Sequence, residues 1–187
     1  RVRGVTRFAY LGPEGTFAEA ALRTVPNADG ALTLPQRTVP AAIEAVRADE
    51  ADVAVVPIEN SVEGSVATTL DELATGAPLQ IVREILLPVT FSLLVRPGME
   101  AAAVKTVATH PHAEAQTRRW LREHLPGADV VFTGSTAGAA MAVGQGEYDA
   151  AVAAPIAGAH AKLEPVAEDI ADNPGAVTRF VLLTRPG

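Results

Sequence analysis

The chain reads as an α/β protein built of two lobes with mostly parallel sheets. Three observations predict this. Short β-branched runs alternate with helical patterns almost from end to end, the order that builds parallel strands with crossover helices. No internal repeat or low-complexity tract breaks the alternation. Two stretches, at Pro88 and at Asp169–Gly175, interrupt it with turn residues and are the best crossing points between lobes. Two crossings place residues 1–87 and 168–187 in lobe 1 and residues 88–167 in lobe 2, the last strand returning to the first lobe.

The elements follow in order. Phe8–Leu11 is a strand, Gly12–Thr16 a tight loop, and a helix starts at Phe17 with Ala20, Ala21 and Val25 on its apolar face. Strand, glycine loop and helix start make an anion-binding geometry, with Thr16 as the side chain at hand; a plain connection is the competing reading. Leu32–Leu34 is a short strand. Pro40 suits the first turn of a helix to Ala48. Val53–Val56 is a buried strand that should end at Pro57, which has no N–H to give. Glu59, Asn60 and Ser61 then stand at its carboxyl end, where open α/β sheets hold ligands. A helix from about Ser65 should bury Val66, Leu70 and Leu73 and stop at Gly76.

Leu79–Leu86 and Thr90–Val95 are strands on either side of Pro88. Val104–Ala108 is a strand, and Thr109 should cap a helix from His112 to His124. Val130–Phe132 is a strand, Ser135 the cap of an Ala/Gly-rich helix to Val143, Asp149–Ala153 a strand and Pro155–Ala161 a short helix. Val177–Thr184 closes the chain. Its alternation points Arg179 and Phe180 to opposite faces, Phe180 inward.

Composition bounds the function. Hydrophobic residues are 48% of 187, enough for a substantial core. Fifteen Lys+Arg against 22 Asp+Glu give −7, which argues against a nucleic-acid surface. A small anion is not excluded, because a few local donors can hold one. There are no cysteines, so disulfides, thiolate metal sites and cysteine nucleophiles drop out. His110, His112, His124 and His160 show no metal-ligand spacing, so no metal is expected. No apolar run reaches the ~18–20 residues of a membrane span, and Arg1–Phe8 has no signal core. The expected location is the cytoplasm.

Four ordered segments carry a resemblance: Tyr10-Leu11-Gly12-Pro13-Glu14-Gly15-Thr16-Phe17; Pro57-Ile58-Glu59-Asn60-Ser61 on to Leu73; His110-Pro111 with Gln116; and Thr178-Arg179-Phe180. Ser135-Thr136-Ala137 and Ala150–Pro155 add to it. Together they resemble the catalytic domain of prephenate dehydratase over essentially the whole chain. The resemblance implies two lobes like type II periplasmic binding proteins, with the active site in the interlobe cleft. It implies conversion of prephenate to phenylpyruvate, water and carbon dioxide, with no cofactor and a homodimer or larger assembly. Arogenate is the neighbouring substrate, and a non-catalytic two-lobed anion receptor is the rival of another class. Many family members add a C-terminal ACT module that binds phenylalanine. This sequence stops at Gly187, so that module is either trimmed away or lacking.

The resemblance assigns roles residue by residue. Thr178 is expected to serve the leaving hydroxyl, by hydrogen bond or relay. Asn60 and Ser61 could donate to substrate, with helix capping as the alternative for Ser61. Glu59 is either a proton donor, which requires burial, or a carboxylate anchoring loop amides. Thr109 and Gln116 could meet at one helix entrance to hold a carboxylate. Arg179 binds the pyruvyl carboxylate or makes a structural pair. Thr16 and Phe180 complete the substrate-binding set, and Glu63 is expected to face solvent. Gly175-Ala176 stand where the family often has paired asparagines, and Phe91 where it often has histidine.

Overall fold

The structure is a computed structural model and describes residues 5–26, 28–62 and 64–187. Glu63 and residues 1–4 of the N-terminal reading lie outside the described residues. The chain divides into two compact units. Unit 1 holds the first strand, Phe17–Pro88 and Ala176–Gly187; unit 2 holds Glu14–Thr16 and Val89–Gly175. Residues 168–175 thus group with unit 2 rather than lobe 1. Hydrogen bonds explain why: Ile170 N–H donates to Phe91 O and Asp172 N–H to Gln116 O.

Unit 1 is a sheet in the order β2-β1-β3-β11-β5, with β4 added on β3. The strands are β1 (Arg7–Leu11), β2 (Leu32–Gln36), β3 (Val53–Asn60), β4 (Gly64–Ser65), β5 (Gln80–Pro88) and β11 (Val177–Thr184). Period-two alternation sends Ala9, Ala54, Val56, Val181 and Leu183 to one face. There they meet Ala42, Ile43 and Val46 of α2 (Val39–Arg47). Phe8, Tyr10, Val55, Phe180 and Leu182 line the other face against Ala18, Ala21 and Leu22 of α1 (Phe17–Arg23). Helix α2 begins where its residues dictate. The Thr38 hydroxyl accepts from Ala41 N–H at 3.2 Å, and proline occupies the first turn.

Unit 2 has the order β10-β6-β9-β7-β8, formed by β6 (Ser92–Val95), β7 (Thr106–Thr109), β8 (Asp129–Phe132), β9 (Ala150–Ala153) and β10 (Glu164–Ala167). The Ala/Gly-rich α5 (Thr136–Gly144) lies close on it, burying Ala137, Ala139, Ala140 and Val143. Ser135 caps it as expected, accepting from Gly138 N–H at 2.9 Å. A Cβ at Gly144 would meet the carbonyl of Ala161, in α6 (Pro155–Ala161), at 2.8 Å. Small residues here set the helix spacing.

Both sheets are mixed, not mostly parallel. Parallel pairs join β1 to β2 and β3, and β7 to β8 and β9. Apart from the short β3–β4 pair, the antiparallel pairs involve the strands by which the chain leaves or enters a unit. In unit 1, Val177 pairs with Pro88, so entry and exit strands lie side by side and must run opposite ways. In unit 2, entry strand β6 and exit strand β10 do the same, β10 being a strand that the sequence pattern does not predict. Pro57 does not end its strand either. β1 pairs with β3 only as far as Val55, and β4 takes over at Glu59. Pro57 falls in the gap, where no ladder partner needs its missing N–H. On the β11 side the register slips by one: Phe180 faces Pro57 and Arg179 faces Glu59, leaving Ile58 as the extra residue of a bulge. Downstream, α3 (Ala67–Thr75) keeps Leu73 against the core, but Leu70 is 42% exposed, and the residue it buries fully is Thr69.

Asp149 shows how one side chain fixes a strand entrance. Its Oδ2 accepts from Lys105 N–H at 2.9 Å and Thr106 N–H at 3.1 Å. Its own N–H donates to the Thr106 hydroxyl at 2.9 Å. The Lys105 amide, first, and then Thr106 and Arg96 hold the carboxyl below its usual pKa, against some desolvation. A depressed folded pKa stabilises above the unfolded value, and that contribution is lost as pH falls through the folded value. The stability gap between wild type and Asp149→Asn should therefore be full at pH 7 and close below about pH 4. Urea midpoints across that range check it; a gap independent of pH would refute the assignment.

Candidate active site

The bulge at Pro57 decides which polar side chains meet. In an antiparallel ladder directly opposed residues point to the same face. Thr178 is opposite Asn60, and Arg179 is opposite Glu59. Thr178 and Asn60 therefore share one face, and Glu59 and Arg179 the other. The two strands close on each other through Ser61, which lies 116 positions from its partner. Its N–H donates to Val177 O at 2.9 Å, and its hydroxyl accepts from Val177 N–H at 2.9 Å. Ser61 thus clamps the start of β11 rather than capping a helix.

Asn60 makes a local turn, its Oδ1 accepting from Val62 N–H at 2.9 Å. That holds the amide oxygen on the turn and leaves the NH₂ group to donate elsewhere. Thr178 is 8% exposed. Among the described residues, no hydrogen-bond partner is found for its hydroxyl or for the Asn60 amide hydrogens. The pair thus presents one hydroxyl and one amide donor, about 5 Å apart at Cβ for opposed strand residues.

Glu59 stands elsewhere. Its carboxylate is 3.5 Å from Arg179 Nε and 56% exposed, so the burial required of a proton donor is missing. Arg179 also reaches Glu84 at 3.4 Å. These three line a shallow pocket of about 260 Å³ with Ile58, Leu70 and Ile81. Neither Thr178 nor Asn60 borders it. Phe180 is 3% exposed, in the core with Phe8, Tyr10 and Leu22, and offers no surface to a ligand.

Thr109, Gln116 and Thr16 belong to unit 2. Thr109 is fully buried, its hydroxyl donating to Val152 O at 2.9 Å. It therefore ties β7 to β9 and does not cap the helix. His110 caps α4 (Pro111–His124) instead, its ring accepting from His112 N–H at 3.2 Å. Gln116 is half-buried on α4, its side chain making a long 3.4 Å bond to His112 O. Thr109 and Gln116 do not form the joint donor site expected of them. Thr16 precedes α1, which has only seven residues and carries the buried Glu19 in its first turn. The Glu19 carboxylate is paired with the Arg23 guanidinium at 3.0 Å.

Comparison with known proteins gives a consistent picture. A family model described as prephenate dehydratase matches residues 8–187. A prephenate dehydratase from Amycolatopsis methanolica is 54% identical over 182 residues, 97% of this chain and 59% of that protein. One from Mycobacterium marinum is 49% identical over 98% of this chain and 61% of its own length. The chain thus spans about three fifths of the curated relatives it matches. Among solved structures, a prephenate dehydratase from Arthrobacter aurescens in complex with L-Phe superposes with a TM-score of 0.89. It is 53% identical, covering 97% of this chain and 60% of that one. A second, described as a quorum-quenching acylase, superposes at 0.85 with 33% identity, over 97% of this chain and 64% of that one.

Proposed function

We propose that this chain, which belongs to the prephenate dehydratase family, converts prephenate to phenylpyruvate, water and carbon dioxide. The observation that carries the reading is the Thr178–Asn60 pair: two unspent donors held side by side on one sheet face. In the reaction the bond from the ring to its carboxylate breaks and carbon dioxide leaves. The electron pair moves into the ring, and the ring carbon–oxygen bond breaks as aromaticity forms. Hydroxide needs a proton to leave as water, so the net step takes up one.

Thr178 is the donor to that departing oxygen. A threonine hydroxyl is too weak an acid to give up its proton outright, so it acts by hydrogen bond or passes on a proton from solvent. Asn60, fixed by its turn, donates to a substrate oxygen beside it. A neutral pair suits the chemistry. A guanidinium locked on the carboxylate about to be lost would stabilise the ground state, where its charge is present, more than the transition state. Arg179, engaged by Glu59 and Glu84 on the opposite face, supports this division. Glu59 is assigned as an anchor for Arg179. Gln116 is kept as a substrate-holding side chain of α4, free to exchange its long bond to His112 O for a carboxylate.

The test is direct. The purified chain is incubated with prephenate, and with arogenate in parallel, while phenylpyruvate and phenylalanine are followed. Binding without turnover of either would reject the reading in favour of a receptor. Turnover of arogenate alone would move the substrate assignment. Glu59→Gln adds a check on roles: its pH–rate profile should keep the wild-type shape and at least about a third of its height, since general-acid removal costs far more. Loss of one limb of that profile would restore Glu59 as the acid.

A further inference from the structure

The segment between the last strand of unit 2 and β11 does not hang loose. Asp172 fastens it to the middle of α4. Its carboxylate takes two helix amides, Arg119 N–H at 2.8 Å and Trp120 N–H at 3.0 Å. Its own N–H donates to Gln116 O at 2.7 Å. Its carbonyl accepts from the Arg119 guanidinium at 3.2 Å. In a regular helix the Trp120 amide belongs to the Gln116 carbonyl four residues back. Here both ends of that bond are engaged by the one residue. α4 runs unbroken across this contact, Pro111–His124, so the bonds from Asp172 brace its backbone from outside. Nearby, Ile170 is 1% exposed and bonds to Phe91 O, so the run before Asp172 is anchored too.

We propose that Asp172 is a positioning residue for the reaction. It fixes the turn of α4 that carries Gln116. It also fixes the chain just ahead of Thr178, since only residues 173–176 separate it from the first residue of β11. The proposal rests on the dehydratase reading, because it gives Gln116 and Thr178 their importance. An ordinary surface carboxylate would cap one helix or pair with one cation. Asp172 instead makes four bonds to the α4 turn next to Gln116, six positions ahead of Thr178 in the chain. Misplacing such groups by about 1 Å can cost up to a hundredfold in rate without touching the chemistry.

Trp120 provides a built-in reporter. It is the sole tryptophan of the chain, and its ring stacks on His124 at 4.3 Å and 10°. The experiment compares wild type, Asp172→Ala, Asp172→Asn and Arg118→Ala. Arg118 pairs with Glu114 on the same helix and serves as a control for general helix weakening. Asp172→Ala should lower kcat about tenfold or more with KM changed less than about threefold. Amide exchange at Arg119 and Trp120 should quicken, and Trp120 emission should shift. Asp172→Asn, which keeps one acceptor, should fall between, and Arg118→Ala should keep wild-type kcat. Faster exchange with unchanged kcat would reduce the clamp to structure alone and overturn the proposal. So would equal losses in Arg118→Ala. If Asp172→Ala does not fold, Asp172→Asn decides on the same readouts. A wild-type chain inert toward prephenate would instead sink the dehydratase reading, and the positioning role with it.

Discussion

Removal of the Thr178 hydroxyl is expected to lower prephenate turnover by about a hundredfold or more while KM moves little. The ground state has an intact carbon–oxygen bond and asks little of a donor. The transition state places growing negative charge on the departing oxygen, and a donor held there in advance acts mainly on that charge. The loss should thus fall on kcat. Thr178→Val is the cleaner variant, because it keeps the β-branch that suits a strand flanked by β3 and β5. Thr178→Ser keeps the hydroxyl and should retain most activity. A valine variant with near wild-type turnover would remove Thr178 from the chemistry. Equal losses in valine and serine variants would point to packing instead, since Thr178 is largely buried.

What could be read from residues alone follows a physical division. Elements whose signal is local were legible: the Ser135 cap, the proline in the first turn of α2, the alternation that sent Phe180 inward. Features set by a distant partner were not. The fate of the Thr109 hydroxyl depends on a carbonyl 43 positions away. The continuation of β3 past Pro57 depends on β1 stopping and β4 starting on its flank. The mixed sheets depend on where the chain enters and leaves each unit. The candidate site shows the same limit. Nothing local in Glu59-Asn60-Ser61 says which of them faces Thr178. The register and its bulge decide, selecting Asn60 and turning Glu59 to Arg179. The resemblance supplied the residues, and the geometry sorted them.

The same distant dependence makes Arg47 the strongest stability prediction. Helix α3 has nine residues, too few to persist alone in water, and its start has no side-chain cap. It is held from beneath by Thr69, whose hydroxyl donates to Pro57 O at 2.5 Å. At its far end Arg47 of α2 closes it. The guanidinium donates to Glu72 O at 2.7 Å and Ala77 O at 3.2 Å, and meets the Glu72 carboxylate at 3.0 Å. The Arg47 side chain is 11% exposed, so water cannot simply take its place. Arg47→Ala leaves two carbonyls and a partly buried carboxylate without their donor, at a cost of about 2–4 kcal/mol. Arg47→Lys keeps the charge but not the fork and should recover only part. Gly76→Ala should act in the same direction, since a Cβ there would run into the Arg47 guanidinium. Urea unfolding of the three variants measures this. A loss under about 1 kcal/mol for Arg47→Ala would mean that solvent replaces the guanidinium. Because β3 leads through β4 into α3, a real loss should also loosen the Asn60 turn, and Val62 amide exchange should rise in step with it.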